Sequence, residues 1–187
     1  MAFLFPNSHF VPLQLNFTLM TEFEKYVLRY TSLVPSEDWI SEMKNTANQT
    51  LEIYSQLSEE QGDFAYAEGK WSLKVLLEHL TDSERIFSYR ALRFARKDET
   101  VLPGFDEELY AKNGIASQLP LEILMEEYQV NRLASLLFFK KLSLTTLQQK
   151  GSANGNEISV ESIGRIIVGH NIHHLNIIKE RYLPLLK

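Results

Sequence analysis

Apolar residues recur along this chain at helical spacing in four long stretches, separated by polar or turn-rich segments. The first opens at Ser36, which suits an N-cap, carries Trp39, Ile40, Met43, Ala47, Leu51, Tyr54 and Leu57 on one face, and ends near Ser58. The second and longest runs from Trp71-Ser72 to about Arg96, with Leu73, Leu76, Leu77, Leu80, Phe87, Ala91 and Phe94 as its core side. The third spans about Pro120 to Leu142, with Leu121, Leu124, Met125, Tyr128, Leu136 and Phe139 on its apolar side. The fourth starts from a cap at Ser159 and reaches Tyr182, with Ile163, Ile166, Ile167, Ile177 and Ile178 on one stripe. Charges support these limits. Glu37, Asp38, Glu122, Glu126 and Glu127 lie early in their helices, and Arg93, Arg96, Lys140 and Lys141 lie late, as the helix dipole favours.

The segments between are less regular. Thr21 to Pro35 reads as a short helical or extended lead-in, and 61–70 as a linker containing Gly62 and Gly69. The connection Lys97 to Leu119 is long and carries two turn signals, Pro103-Gly104 and Asn113-Gly114. Such a connection can cross the length of a bundle, so that the second and third helices run parallel. Ser143 to Ile158 is polar and loop-like, and no segment reads as a strong strand. The pattern predicts an all-α four-helix bundle.

Composition narrows the chemistry. Acidic residues outnumber basic ones 24 to 19, which leaves a net charge of −5 and no basic footprint for nucleic acid. No apolar run approaches the roughly 20 residues of a membrane span. Cysteine is absent, so any metal must be held by His, Asp or Glu, and a reducing, cytoplasmic setting is expected. Residues 1–19 have no Lys, Arg, Asp or Glu and are broken by Pro6 and Pro12, unlike a secretory signal. We read them as an extension ahead of Met20, a second candidate start, and the domain as residues 20–187.

Five histidines remain to be placed, and His9, in the extension, is set aside. His170 and His174 are four residues apart and lie one above the other on the fourth stripe. His79 sits in the second stripe, one turn past Val75 and Leu76. Imidazoles in a core-facing stripe need polar partners. Ordinary hydrogen bonds are one solution. A divalent ion shared by His79, His170 and His174 is another, if the second and fourth helices are neighbours, and three neutral ligands leave a position open for water or substrate. His173 is turned about 100° from His174 and is expected at the rim or between helices. Asp82 and Glu84 could orient a ligand histidine, or be solvated or paired with Arg85 or Arg90. Trp71, Phe87, Tyr89, Phe105 and Tyr110 could line a pocket or be plain core. Glu78 precedes His79, so the His-Glu-x-x-His arrangement of a metalloprotease is missing.

The segments Gly69-Lys-Trp71-Ser72 through His79-Leu-Thr-Asp82-Ser-Glu84-Arg85 to Arg96, Leu102-Pro-Gly-Phe-Asp106, and Gly169-His170-Asn-Ile-His173-His174-Leu resemble the signature of the DinB/YfiT-like superfamily, in order and spacing. The resemblance covers 20–187. It implies an up-down-down-up bundle and a site of His79, His170 and His174 for a divalent metal, zinc or nickel. Characterised relatives are thiol-dependent transferases or isomerases using bacillithiol, mycothiol or glutathione, and many members are dimers. The expectation is a metal-dependent transferase that activates a small-molecule thiol against an electrophile, possible as a homodimer. Hydrolysis by metal-bound hydroxide and a non-catalytic metal- or partner-binding bundle are the alternatives.

Overall fold

The computed structural model describes residues 20–186; the extension over 1–19, with His9, lies outside them. The lead-in is a helix, α1 (Glu22–Thr31), opened by a capping box in which Thr21 and Glu24 satisfy each other's backbone amides. α2 (Trp39–Tyr54) is capped by Asp38. Ser36 does not cap it; its hydroxyl accepts from the Asp38 amide instead. The linker holds a single turn, α3 (Glu59–Gly62). α4 (Leu73–Ala95) is capped by Ser72. The long connection contains α5 (Glu107–Asn113) and a 3-10 turn, Ala116–Gln118. α6 (Leu121–Lys140) has Pro120 at its N-cap, one residue ahead of the position expected for it.

The polar segment before the last helix is not simply a loop. After a turn, α7 (Leu144–Leu147), it forms a hairpin of β1 (Lys150–Ala153) and β2 (Asn156–Ser159), paired antiparallel with Ala153 opposite Asn156. Asn154 and Gly155, at φ 50° and 73°, make the two-residue turn that suits the right-handed twist of a hairpin. Leu102, in the connection, bridges to this ribbon: its amide donates to the Ser152 carbonyl at 2.9 Å, and its carbonyl accepts from the Asn154 amide at 3.0 Å. α8 (Val160–Ile177), capped by Ser159, continues as a π-helical turn, Ile178–Tyr182.

Four long helices pack in the cyclic order α2, α6, α4, α8, with α1 laid on α8. Named contacts give their directions. Trp39 meets Phe139 and Met43 meets Arg132, so α2 and α6 are antiparallel. Thr81 meets Asn131 and Ser88 meets Ser135, so α6 runs with α4. Glu37 meets Arg165 and Thr50 meets Asn171, so α8 runs with α2. The Trp71–Tyr182 and His79–His170 contacts set α8 against α4. The connection from α4 to α6 therefore returns the chain along the bundle, and this is why it is long.

The core is split. One apolar cluster gathers Trp39, Met43, Phe87, Phe94, Phe139, Ile163 and Ile166, and the other Tyr54, Leu73, Leu77, Leu124, Tyr128, Ile178 and Tyr182. Between them every long helix buries polar side chains: Thr46 and Thr50 on α2, Thr81, Ser83 and Glu84 on α4, Arg132 and Ser135 on α6, and His170, Asn171 and His174 on α8. Buried polar groups are costly unless partnered, so this layer has to be explained atom by atom.

Candidate metal centre

Most of the layer is satisfied by protein partners. Arg132 donates through Nε to both carboxylate oxygens of Glu84, at 2.9 and 2.8 Å, and through a terminal nitrogen to the Met43 carbonyl and the Thr46 hydroxyl. Asn171 donates to Thr50 at 2.9 Å and accepts from the Tyr128 hydroxyl at 2.8 Å. These bonds fix the rotation of α8, because Asn171 is held on α2 and α6 while its neighbour His170 points the other way, at α4.

The histidines are the part that protein partners do not complete. His79 Nε2 lies 3.1 Å from His170 Nε2, which lies 3.0 Å from His174 Nε2. All three residues are buried, and one ring nitrogen from each falls within 4.8 Å of the others. A ring nitrogen offers either one N–H or one lone pair in the ring plane. His170 Nε2 can therefore complete only one of its two contacts as a hydrogen bond. His174 Nδ1, on the opposite side of its ring, is buried with no hydrogen-bond partner. A cation at the meeting point would use all three lone pairs together. Tetrahedral zinc with N–metal bonds of about 2.0–2.1 Å requires nitrogen separations of roughly 3.3 Å, close to the 3.1 and 3.0 Å that His170 makes to its two neighbours. The donor set therefore fits a divalent metal.

Electrostatics agrees with this. Burial pushes the His79 imidazole down to about 4 and His174 to about 3, and holds His170 well below its ordinary value, with repulsion from neighbouring imidazoles adding at the last two. The rings are neutral near pH 7, the form in which histidine binds metal. Among the described residues no carboxylate joins the three, which leaves room for a further ligand.

The other expected residues lie around this point in different roles. His173 packs edge-on to Tyr30 of α1 and to His174, outside the cluster. Neither Asp82 nor Glu84 hydrogen-bonds an imidazole among the described residues. Asp82 is 3.4 Å from Arg85, and Glu84 is committed to Arg132, a partner 48 residues away that spacing could not reveal. Trp71 packs on the His79 ring at 4.7 Å, and Phe105 and Tyr110 line a small pocket beside His79 with Asp82. Tyr89 does not belong to the site; it is half exposed and bonded to Arg93.

A cavity of about 370 Å³ opens on the His170 side. Tyr26 and Tyr30 of α1, Phe87 and Arg90 of α4, Phe105 of the connection, Asn154 and Asn156 of the hairpin, and Ile163 and Ile166 of α8 contribute to its wall. Sequence reading missed Arg90, the α1 tyrosines and the hairpin as parts of this wall. The Asn154-Gly155 pair was the available signal for the hairpin.

Fold and site together define a helical-bundle protein with a three-histidine centre suited to a divalent metal. The model of the DinB superfamily matches residues 42–178, and the chain belongs to that family. A protein of Oceanobacillus iheyensis named "Putative metal-dependent hydrolase" is 33% identical over 147 residues, which cover 76% of this chain and 82% of that one. A second from the same organism, named likewise, is 30% identical over 154 residues, covering 78% and 84%. The solved structure of YfiT from Bacillus subtilis, described as "a probable metal-dependent hydrolase with an unusual four-helix bundle topology", shares the fold at TM-score 0.72 and 16% identity, covering 80% of this chain and 86% of that one.

Proposed function

We propose that the chain is a metal-dependent enzyme in which His79, His170 and His174 hold a divalent ion, zinc or nickel, that activates a small-molecule thiol for transfer to an electrophile. The observation that carries this reading is the convergence of three neutral imidazole nitrogens, with no carboxylate joining them among the described residues, at a cavity that His170 lines. A bound ion there supplies Lewis acidity undiminished by anionic ligands, which favours deprotonation of a thiol that reaches it. The chain has no cysteine of its own, so a thiol nucleophile has to be a separate small molecule. α4 and α8 present the ligand rings, and Trp71 covers His79 from one side. In the transfer, the thiol proton leaves to solvent, sulfur forms a bond to the electrophilic carbon, and the leaving group departs with its electron pair.

Hydrolysis is the second reading, and the names of the Oceanobacillus relatives favour it. It needs the same ion to activate water. Glu84 is tied to Arg132, so a general base for this reading falls to Asp82, which is 3.4 Å from Arg85 and lines a small pocket with His79.

The test is elemental analysis together with assays of thiol conjugation and of ester and amide hydrolysis, on protein as purified and after chelation. We expect about one divalent ion per chain, loss of most of it in each of His79→Ala, His170→Ala and His174→Ala, and a conjugation rate that returns when metal is restored. Metal-dependent hydrolysis with no thiol requirement would select the second reading. Full metal content in all three variants would overturn both.

A further inference from the structure

Arg90 is a buried arginine that the metal centre does not use. It is 9% exposed, in the C-terminal third of α4, and no carboxylate forms an ion pair with it among the described residues. Arg132 is buried too, but Glu84 neutralises it. For Arg90 the structure provides one hydrogen bond, donated to the Pro103 carbonyl at 2.8 Å, and two aromatic faces, Phe87 and Phe105, each with its centroid 5.8 Å from the guanidinium carbon. Burial works against its charge and pulls its pKa down, yet a guanidinium stays protonated in proteins. Its remaining N–H donors make no other hydrogen bond among the described residues, and the residue lines the same 370 Å³ cavity as His170. A desolvated, unpaired cation is costly, and a site that keeps one gains when an anion arrives.

We infer that Arg90 binds a carboxylate of the substrate, and that the cavity takes a compound with a carboxylate at one end, an apolar or aromatic body, and its reacting group at the histidine end. The assignment deepens the metal-dependent reading above and rests on it for the reacting end. Arg90 lies three helical turns beyond His79 along α4, so the anion is held away from the reacting atoms. Arg90 is thus a specificity residue and takes no part in the bond-making step. Phe87 and Phe105 flank the guanidinium, each at 5.8 Å, and limit its orientations, and its planar fork of donors suits two-point capture of a carboxylate. Two acidic side chains share the wall. Glu22 pairs with Lys25 at 2.7 Å, Glu107 has no ion pair among the described residues, and both are exposed, so that Arg90 is the one buried charge of the three. The aromatic and isoleucine side chains of the wall suit the body of such a compound.

The experiment is an NMR titration of the full chain, metal-loaded and chelator-stripped, with 3-phenylpropionate and with its uncharged amide as probes. The wild type is expected to bind the carboxylate about tenfold or more tightly than the amide in both forms, the range of a charge-assisted hydrogen bond. Arg90→Gln is expected to erase that preference and Arg90→Lys to keep part of it, with metal content unchanged in both. Equal binding of the two probes by the wild type overturns the proposal, even if Arg90→Gln fails to fold. A preference seen only with metal bound, and intact in Arg90→Gln, also overturns it, because the carboxylate then sits on the ion. A preference that depends on Arg90 in a chain that takes up no metal upholds the arginine and sinks the metal reading instead.

Discussion

At the scale of single residues, the centre depends on which polar groups the bundle leaves unmatched. Glu84 and Arg132 are 2% and 3% exposed and share two hydrogen bonds, so each offsets part of the other's desolvation penalty. Removing one partner of such a pair strands a charge, at a cost of about 3–5 kcal/mol. We expect Glu84→Ala to lose stability of that order in urea unfolding, and a double variant with apolar residues at 84 and 132 to recover much of it. A loss under about 1 kcal/mol would show that the pair is not a structural tie. The histidines invert this pattern, since their unmatched lone pairs are what a cation would use. Sequence spacing brought out His79, His170 and His174 because each lies on an apolar stripe, where an imidazole is conspicuous. Glu84 was legible as a charge near His79 that could orient an imidazole or pair nearby, and Arg90 only as one such partner. What separates them is a partner, present for one and absent for the other, and partners come from distant segments that a single stripe does not encode.

At the scale of elements, α1 matters more than a lead-in would. It lies against α8 so closely that a Cβ on Gly169 would fall 2.0 Å from the Tyr30 carbonyl oxygen, inside any permissible contact. Tyr30 also meets His170 edge-on at 5.3 Å and forms part of the cavity wall. The glycine before the first α8 ligand is therefore the seat of α1. Gly169→Ala should push α1 outward, at a cost of about 1–3 kcal/mol, while leaving the α4–α8 contact and the metal content in place. Hydrogen exchange would show this as faster exchange of the amides of 22–31 with little change in α4. Unchanged exchange in α1 would mean that the helix is not seated there. Long helices were legible because their 3.6-residue pattern repeats over 16 to 23 residues. The hairpin was not, because its strands are four residues each and hold Gly151, so neither has room for an alternation to declare itself. α5 was hidden for a related reason: none of its seven residues is buried, and a helix without a buried face has no stripe.

At the scale of the whole molecule, the three histidines join α4 to α8 across 91 residues of chain, in the polar layer that divides the two apolar clusters. An ion held there binds the folded chain and not the unfolded one, and raises stability by RT ln(1 + [M]/Kd), about 2.7 kcal/mol when the free ion is a hundred times Kd. Chelation should therefore lower the unfolding temperature, and titrated metal should restore it. The pH dependence has a definite sign. Burial lowers the folded-state values of His79 to about 4 and of His174 to about 3, from 6.5 in the unfolded chain. The unfolded state thus takes up protons first as pH falls. Stability of both the loaded and stripped forms should decline from about pH 6.5 downward, towards the folded-state values, and the full contribution of these groups should be present above 6.5. The difference between the two forms follows another course, because it depends on the folded chain alone. The imidazoles are already neutral there, so protons do not displace the metal until pH nears 4. Calorimetric scans of both forms from pH 7.5 to 4 should show two falling curves with a nearly constant gap that closes only at the acid end. A gap that closes around pH 6.5 would mean that the ion is held by exposed, ordinary histidines, and that the buried trio is not its site.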